Sequence, residues 1–246
     1  YREYAQGDAL RHVDWNIYGR LDTMHLKLFQ EQEDLTLHLV LDASASMAFG
    51  TPRKCDFARR LAAAIGYIGL SGYDRVVGQG FGEAAHALGP LRGKAAAQKL
   101  FGFLEGLPAG GAPRLAEQCR NYALRNRTKG LLIFISDLLD EEGYEDALKS
   151  LMSVGPDLYM VQVLAPEELD PQMTGDLKLV DAETSGFTEI SVSHGLMRQY
   201  AETRDQFIEG VRSFCHRRGI GYLLVSSAAP VEEVVLQQLR KGGMLR

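Results

Sequence analysis

Four short runs of apolar residues stand out along the chain, and they are mostly continuous rather than alternating with polar residues. Such runs are typical of strands that are covered on both faces. Between them, apolar residues recur at helical spacings of three and four, as at Phe57, Leu61 and Ile65. Strands that alternate with helices predict an α/β fold with a mostly parallel central sheet. The four runs occupy residues 35–41, 131–135, 158–164 and 220–225, and further helical patterns lie at 100–107, at 207–215 and from Pro230 onward.

Two segments depart from this alternation. Residues 74–92 are interpreted as a strand followed by a return strand, one of which is expected to be an antiparallel edge strand of the sheet. Residues 177–192 are interpreted as a small β-hairpin insertion, with its turn near Ser185 and Gly186.

Composition excludes several classes of protein. The 246 residues are 46% hydrophobic, which is enough for a substantial core, and the net charge of −5 argues against a nucleic-acid-binding protein. The three scattered cysteines, Cys55, Cys119 and Cys215, fit reduced thiols in a cytoplasmic protein.

No apolar stretch approaches the length of a membrane span, and no signal peptide is visible. The chain begins at Tyr1 without Met, so we expect further residues to precede it in the full-length protein.

Candidate chemistry lies where two of the predicted strands end. The stretch LVLDASASM at residues 39–47 places Asp42, Ser44 and Ser46 directly after a buried strand, and Asp137 follows a later strand. Because the carboxyl ends of parallel strands meet at one edge of a sheet, we expect Asp42 and Asp137 to lie close together. Two carboxylates and two hydroxyls suit Mg²⁺ or Mn²⁺. The alternative is that Asp42 and its serines cap the next helix.

This arrangement resembles the metal-ion-dependent adhesion site of von Willebrand factor type A domains. The resemblance implies a three-layer α/β sandwich in which Asp42, Ser44 and Ser46 form the first loop of the site and Asp137 the third. It also implies a coordination position that an acidic group of a partner protein fills. The second loop of that family offers a threonine, whereas this chain has Ala112 at the corresponding position, which removes one ligand.

A second resemblance covers nearly the whole chain. The stretches YREYAQGDALRHVDWNIYGR, LLIFISDLLD and LVDAETSG, together with LVLDASASM, are similar to the bacterial family called domain of unknown function number fifty-eight. Its members carry a type A-like domain and are often encoded beside AAA+ ATPases of the MoxR type. The resemblance implies a non-enzymatic interaction or assembly module, chaperone-like in its action, with such an ATPase as partner.

We expect residues 1–33 to form an N-terminal extension packed on a main domain of residues 34–246, because they are mostly polar and irregular. Its charged and aromatic cluster has two interpretations. One is a partner-docking surface. The other, which we favour, is structural, because a lone tryptophan in such a segment is more often a packing anchor. The cluster consists of Asp8, Arg11, Asp14, Trp15 and Arg20.

The alternative function is a metal-dependent phosphohydrolase of the haloacid dehalogenase type, another α/β fold with a reactive aspartate after its first strand. That chemistry needs a second acid two positions later to protonate the leaving group. This chain has Ser44 there, so the interaction module is the favoured prediction.

Overall fold

A computed structural model of the chain describes residues 2–3, 15–26, 35–111, 114–126, 128, 130–154, 157–171, 175–180 and 187–239. The chain divides into two compact units, Tyr1–Asp34 and Leu35–Arg246. In the first unit, β1 (Arg2–Glu3) pairs antiparallel with β2 (His25–Leu26), and α1 spans Trp15–Leu21.

The second unit is built on a six-stranded sheet. Its strands in chain order are β3 (Thr36–Asp42), β4 (Arg75–Phe81), β5 (His86–Leu91), β6 (Gly130–Ser136), β7 (Asp157–Leu164) and β10 (Gly221–Ser226). They are arranged in the order β10-β7-β6-β3-β4-β5, and all neighbours are parallel except β4 and β5. The predicted mostly parallel sheet with one antiparallel edge strand is therefore confirmed.

Helices cover both faces of this sheet. One apolar cluster combines side chains of the sheet with α2 (Lys54–Ser71) and α3 (Ala97–Glu105). The other combines the opposite side chains of the sheet with α4 (Leu115–Arg125), α5 (Glu145–Met152) and α7 (His194–Arg217). The resulting three layers are the predicted sandwich. The described part of the second unit also contains the short helices α6 (Pro166–Leu169) and α8 (Val231–Glu233), 3-10 turns at Ser46–Ala48 and Lys94–Ala96, and a π-helical turn at Val234–Leu239.

The central strands explain why the apolar runs are continuous. Strands β3 and β6 are buried along their whole length. Successive side chains point to opposite faces of a strand, so Leu39 joins the cluster on the α2 side while Val40 joins the cluster on the α4 side. Both faces need apolar residues, and a polar alternation would leave one layer without a core.

The register of the sheet defines the edge at which the candidate residues lie. Strand β3 pairs in parallel with β6, and Leu41 is opposite Ile135. Asp42 ends β3, and Ser136 ends β6 and is followed by Asp137, so these residues lie side by side at the carboxyl edge of the sheet.

A separate antiparallel pair is found where the sequence predicts a hairpin insertion. It is formed by β8 (Gly175–Val180) and β9 (Phe187–Val192), in which Val180 is opposite Phe187. The predicted turn near Ser185 and Gly186 lies outside the described residues.

Candidate functional site

In the first loop of the candidate site, both carboxylate oxygens of Asp42 accept hydrogen bonds. Oδ1 of Asp42 accepts a bond from the backbone N–H of Ser44 (2.9 Å), and Oδ2 accepts one from the hydroxyl of Ser136 (2.6 Å). The hydroxyl oxygens of Ser44 and Ser46 lie 3.0 Å apart. Both serines therefore turn their hydroxyls towards each other beside a buried carboxyl group.

The capping alternative does not match this geometry. The loop continues into a 3-10 turn at Ser46–Ala48, whose N-cap residue is Ala45. Helix α2 begins only at Lys54, and its N-cap residue, Arg53, makes no side-chain cap bond. The carboxyl group of Asp42 thus bonds to its own loop and to β6 rather than to a helix end.

The second loop is tied to the first by backbone hydrogen bonds. The N–H of Gly110 donates to the carbonyl of Ala43 (2.8 Å), and the N–H of Ala45 donates to the carbonyl of Gly111 (3.0 Å). Gly111 has φ = +78°, and a Cβ there would lie 2.7 Å from the Cα of Glu83, so only glycine suits this position. The next residue, Ala112, lies outside the described residues.

The third loop presents Asp137, which is fully buried. Its Oδ1 accepts a hydrogen bond from the backbone N–H of Leu139 (3.0 Å), and its Oδ2 accepts one from Nζ of Lys54 (2.7 Å). Ser136 accepts a bond from the N–H of Leu138 (2.8 Å) while it donates to Asp42. The structure thus brings Asp42, Ser44, Ser46 and Asp137 together at one edge of the sheet.

Sequence reasoning missed Lys54 and Glu168. The side chain of Lys54 is completely buried, and its Nζ bridges Asp137 and Oε1 of Glu168, 2.5 Å away. The other oxygen of Glu168, Oε2, accepts a hydrogen bond from the N–H of Ala165 (2.7 Å). Glu168 belongs to the short helix α6 after β7, so this ion pair joins the start of α2 to the far side of the site. No local pattern around Lys54 signals burial, because the lysine lies in a polar segment and its partners are distant in sequence.

Burial controls the electrostatics of the site. Loss of solvation and the nearby charge of Asp137 raise the pKa of Asp42 to about 7, against the opposing effect of the hydrogen bonds from Ser136 and Ser44. Burial alone would lower the pKa of Lys54, but Asp137 and Glu168 together raise it. Burial also raises the pKa of Glu168, although Lys54 opposes that change. The site thus contains more buried negative charge than one lysine balances.

The chemistry of the donor set fits a small divalent cation. Among the described residues, no group of three or more His, Cys, Asp or Glu side chains is arranged to hold a metal ion, so a cation here would depend on hydroxyls as well as acids. The carboxyl groups of Asp42 and Asp137 and the hydroxyls of Ser44 and Ser46 form an oxygen-only set, which Mg²⁺ and Mn²⁺ prefer. A divalent cation would also relieve the repulsion that raises the pKa of Asp42.

Only part of the N-terminal cluster can be located. Asp8, Arg11 and Asp14 lie outside the described residues. Trp15 and Arg20 both lie on α1, where the ring of Trp15 meets that of Tyr18 edge-on with centroids 6.1 Å apart. Whether this cluster docks a partner or anchors the extension stays a prediction.

Comparison with known proteins places the chain in a family. The family model described as Protein of unknown function DUF58 matches residues 1–209. The chain belongs to this family. Among its relatives, the uncharacterized protein Rv1480 of Mycobacterium tuberculosis is 27% identical over 236 residues, which cover 94% of this chain and 71% of the relative.

Solved structures resemble this DUF58 chain in fold. The pilus adhesin SpaC of Lactobacillus rhamnosus GG, in its open conformation, has a TM-score of 0.50 and 12% sequence identity, over 88% of this chain and 30% of SpaC. The VWA domain of SpRpn10 has a TM-score of 0.48 and 8% identity, over 83% of this chain and 95% of that domain. The three-layer α/β fold, with a mostly parallel sheet and one antiparallel edge strand, agrees with the sequence prediction. None of the helices that the structure describes is long and apolar enough to cross a membrane.

The phosphohydrolase alternative gains no support from the site. The residue two positions after Asp42 is Ser44, whose hydroxyl lies 3.0 Å from that of Ser46 and cannot supply the second acid that this chemistry needs. The buried ammonium of Lys54 is already shared by two carboxylates.

Proposed function

We propose that the chain is a non-enzymatic protein-interaction module whose contact site is the carboxyl edge of the central sheet. The observation that carries this proposal is the buried pair of carboxyl groups of Asp42 and Asp137 at the carboxyl edge of the sheet. The hydroxyls of Ser44 and Ser46 lie beside them. Asp42, Ser44, Ser46 and Asp137 hold Mg²⁺ or Mn²⁺ in this proposal. When bound, the cation supplies a coordination position for an acidic side chain of the partner.

Apolar side chains next to these residues supply the rest of the contact surface. Phe49 follows the first loop and is 46% exposed, and Leu139 follows Asp137 and is 41% exposed. Nζ of Lys54 lies 5.8 Å from the centroid of the Phe49 ring, which ties Phe49 to the site. A carboxylate that is coordinated between apolar neighbours is shielded from water, so its Coulomb interaction is strengthened while its desolvation cost rises.

The partner that we propose is an AAA+ ATPase of the MoxR type, and this follows from the family resemblance. The test is capture of proteins from the native host on immobilised chain, with and without ATP, in Mg²⁺ or in EDTA. We expect the wild-type chain to capture an AAA+ ATPase in Mg²⁺. This capture should be lost in EDTA and with the Asp42→Asn variant. The exposed Asp146→Asn variant is the matched control. Repeated capture without any such ATPase would exclude this partner.

Metal binding is tested by thermal unfolding in EDTA and in millimolar Mg²⁺ or Mn²⁺. A ligand at a hundred times its Kd stabilises the folded state by about 2.7 kcal/mol. For a domain of this size we therefore expect the Tm to rise by about 5–10 °C. The rise should vanish in Asp42→Asn and persist in Asp146→Asn. An unchanged Tm in both metals would contradict a cation site in the free chain.

A further inference from the structure

Lys54 is the least expected member of the site. Lysine is rarely buried completely unless it is paired, and here its Nζ contacts one oxygen of Asp137 and one of Glu168 at 2.7 and 2.5 Å. The two acids belong to different loops, after β6 and after β7. Lys54 therefore acts as a fixed internal cation at the point where these loops meet.

The charges of this cluster define what else it can hold. Asp42, Asp137 and Glu168 provide three carboxyl groups against the one ammonium of Lys54. When all are ionised, two negative charges are left over, which is the charge that one divalent cation balances. Without Lys54 the excess of negative charge would be larger, so a cation would be bound more tightly. Without Glu168 the ammonium of Lys54 would act on Asp137 alone, and a cation would be held more weakly.

Each carboxylate oxygen of Asp137 accepts a hydrogen bond from a different group. Oδ2 is held by Lys54, and Oδ1 accepts a hydrogen bond from the N–H of Leu139. The backbone carbonyl of Asp137 accepts a further bond from Nε2 of Gln162 (3.2 Å), whose Oε1 accepts a bond from the hydroxyl of Tyr222 (2.6 Å). Asp137 is thus fixed in orientation from both its side chain and its backbone.

We propose that Lys54 is a positioning residue that orients Asp137 and lowers the affinity of this edge for divalent cations, with Glu168 as the counter-ion that limits this effect. The inference rests on the proposed metal site. It gives the site a moderate affinity, so that a cation binds reversibly and a carboxylate of the partner contributes to holding it.

The test is Mn²⁺ binding by the intact chain, measured by isothermal titration calorimetry at constant pH and ionic strength. The variants are Lys54→Met, Glu168→Gln and the double variant that combines them. Matched controls are Lys149→Met and Glu209→Gln, which remove the same charges from exposed helical ion pairs. Asp42→Asn reports whether the binding belongs to this site.

The variants should change the affinity in opposite directions. Because a unit charge nearby acts strongly in a buried site, we expect Lys54→Met to lower the Kd for Mn²⁺ by about tenfold and Glu168→Gln to raise it by about tenfold. The double variant should lie close to the wild type, and both controls should be unchanged. Removing one partner of a buried ion pair is destabilising, so folding of each variant is checked by circular dichroism. If Lys54→Met does not fold, the Kd of Glu168→Gln tests the inference: a higher Kd than that of the wild type supports it, and an equal or lower Kd overturns it.

Failure of this inference can be told apart from failure of the metal site. Wild-type binding that is lost in Asp42→Asn but is equal or weaker in folded Lys54→Met would overturn the role of Lys54 and leave the metal site in place. Binding in Lys54→Met but not in the wild type would support the inference. Absence of Mn²⁺ binding in the wild type and in every variant would overturn both.

Discussion

At the scale of single residues, His38 shows how a buried polar group on β3 is satisfied. Its Nε2 lies 3.1 Å from the carbonyl of Thr128, which only accepts, so this nitrogen carries the proton. Its Nδ1 then accepts the hydrogen bond from the hydroxyl of Tyr122 at 2.7 Å. Burial lowers the pKa of His38 below its ordinary value of 6.5, against the opposing effect of the bond to Thr128. The folded protein therefore holds His38 as a neutral ring.

Stability should consequently depend on pH through His38. The unfolded chain takes up a proton on this histidine as the pH falls through about 6.5, whereas the folded chain resists protonation, so the free energy of unfolding falls. A single such group contributes at most about 1.4 kcal/mol per pH unit. In urea unfolding between pH 7.5 and 5.0, the raised pKa of Asp42 acts in the opposite direction to His38. As the pH falls, the free energy of unfolding should therefore fall less, or rise more, for His38→Gln than for the wild type. The exposed His86→Gln variant is the control, and equal slopes for His38→Gln and wild type would contradict this origin.

The apolar neighbours of the site give another prediction at this scale. Leu139→Ser should weaken capture of the partner, because it removes an exposed apolar contact without touching a carboxyl group. It should leave the Tm in EDTA nearly unchanged, since exposed substitutions usually shift stability by about 0.5 kcal/mol or less. Leu124→Ser, at an exposed leucine on α4, is the control. Equal capture by Leu139→Ser and wild type would show that Leu139 lies outside the contact surface.

The four residues predicted from the sequence and the ones that were missed differ in a simple way. Asp42 and Asp137 end apolar strands, so the edge at which they lie follows from the alternation of strands and helices. Lys54 follows no such run, and Glu168 lies on the short helix α6 rather than at the end of β7. Their contact depends on the packing of α2 against the segment after β7. Neither composition nor spacing contains that information.

At the scale of secondary-structure elements, the pairing of β3 with β6 depends on a glycine. Gly130 lies opposite Thr36, and a Cβ added at Gly130 would overlap the backbone carbonyl of Thr36. The two strands approach each other closely here, and their register brings Asp42 beside Ser136.

Gly130→Ala should therefore destabilise the protein, by about 1–3 kcal/mol as for other overpacked sites. Gly102→Ala is the matched control, because Gly102 is exposed within α3 and a Cβ there meets nothing within 4 Å. Alanine is a better helix former than glycine, so this control should stabilise by about 0.5–1 kcal/mol. Urea unfolding measures both. A neutral Gly130→Ala would mean that the strands separate at this end without cost.

Elements with long apolar runs or strong periodicity could be predicted, and short amphipathic helices could not. The six sheet strands and the helices α2 and α3 lie where the sequence pattern predicts them, whereas α7 begins thirteen residues before the predicted pattern at 207–215. Helix α4 buries only Leu115, Cys119 and Tyr122, and α5 is eight residues long. Their apolar faces are too narrow to distinguish these segments from loops in the sequence. The helices are stabilised by packing against the sheet, which the sequence pattern does not show.

At the scale of the whole molecule, both apolar clusters that the structure describes are drawn from the second unit. They run from Leu37 to Val235. We therefore expect residues 35–246 alone to unfold cooperatively in a thermal melt monitored by circular dichroism. If the extension packs on the main domain as predicted, the shortened chain should melt at a lower temperature than residues 1–246. Loss of cooperative unfolding would show that the second unit needs the first.

The strand order also governs what happens on the ribosome. Strand β3 lies between β4, which follows it soon in the chain, and β6, which is made much later. Since 94 residues separate Asp42 from Ser136, synthesis of that interval takes roughly 5–20 s at ~5–20 residues per second. Throughout it, nascent β3 has at least one unpaired hydrogen-bonding edge, which is a template for pairing with other chains. Emergence of β6 closes that edge and, in the same step, brings Asp137 to Asp42.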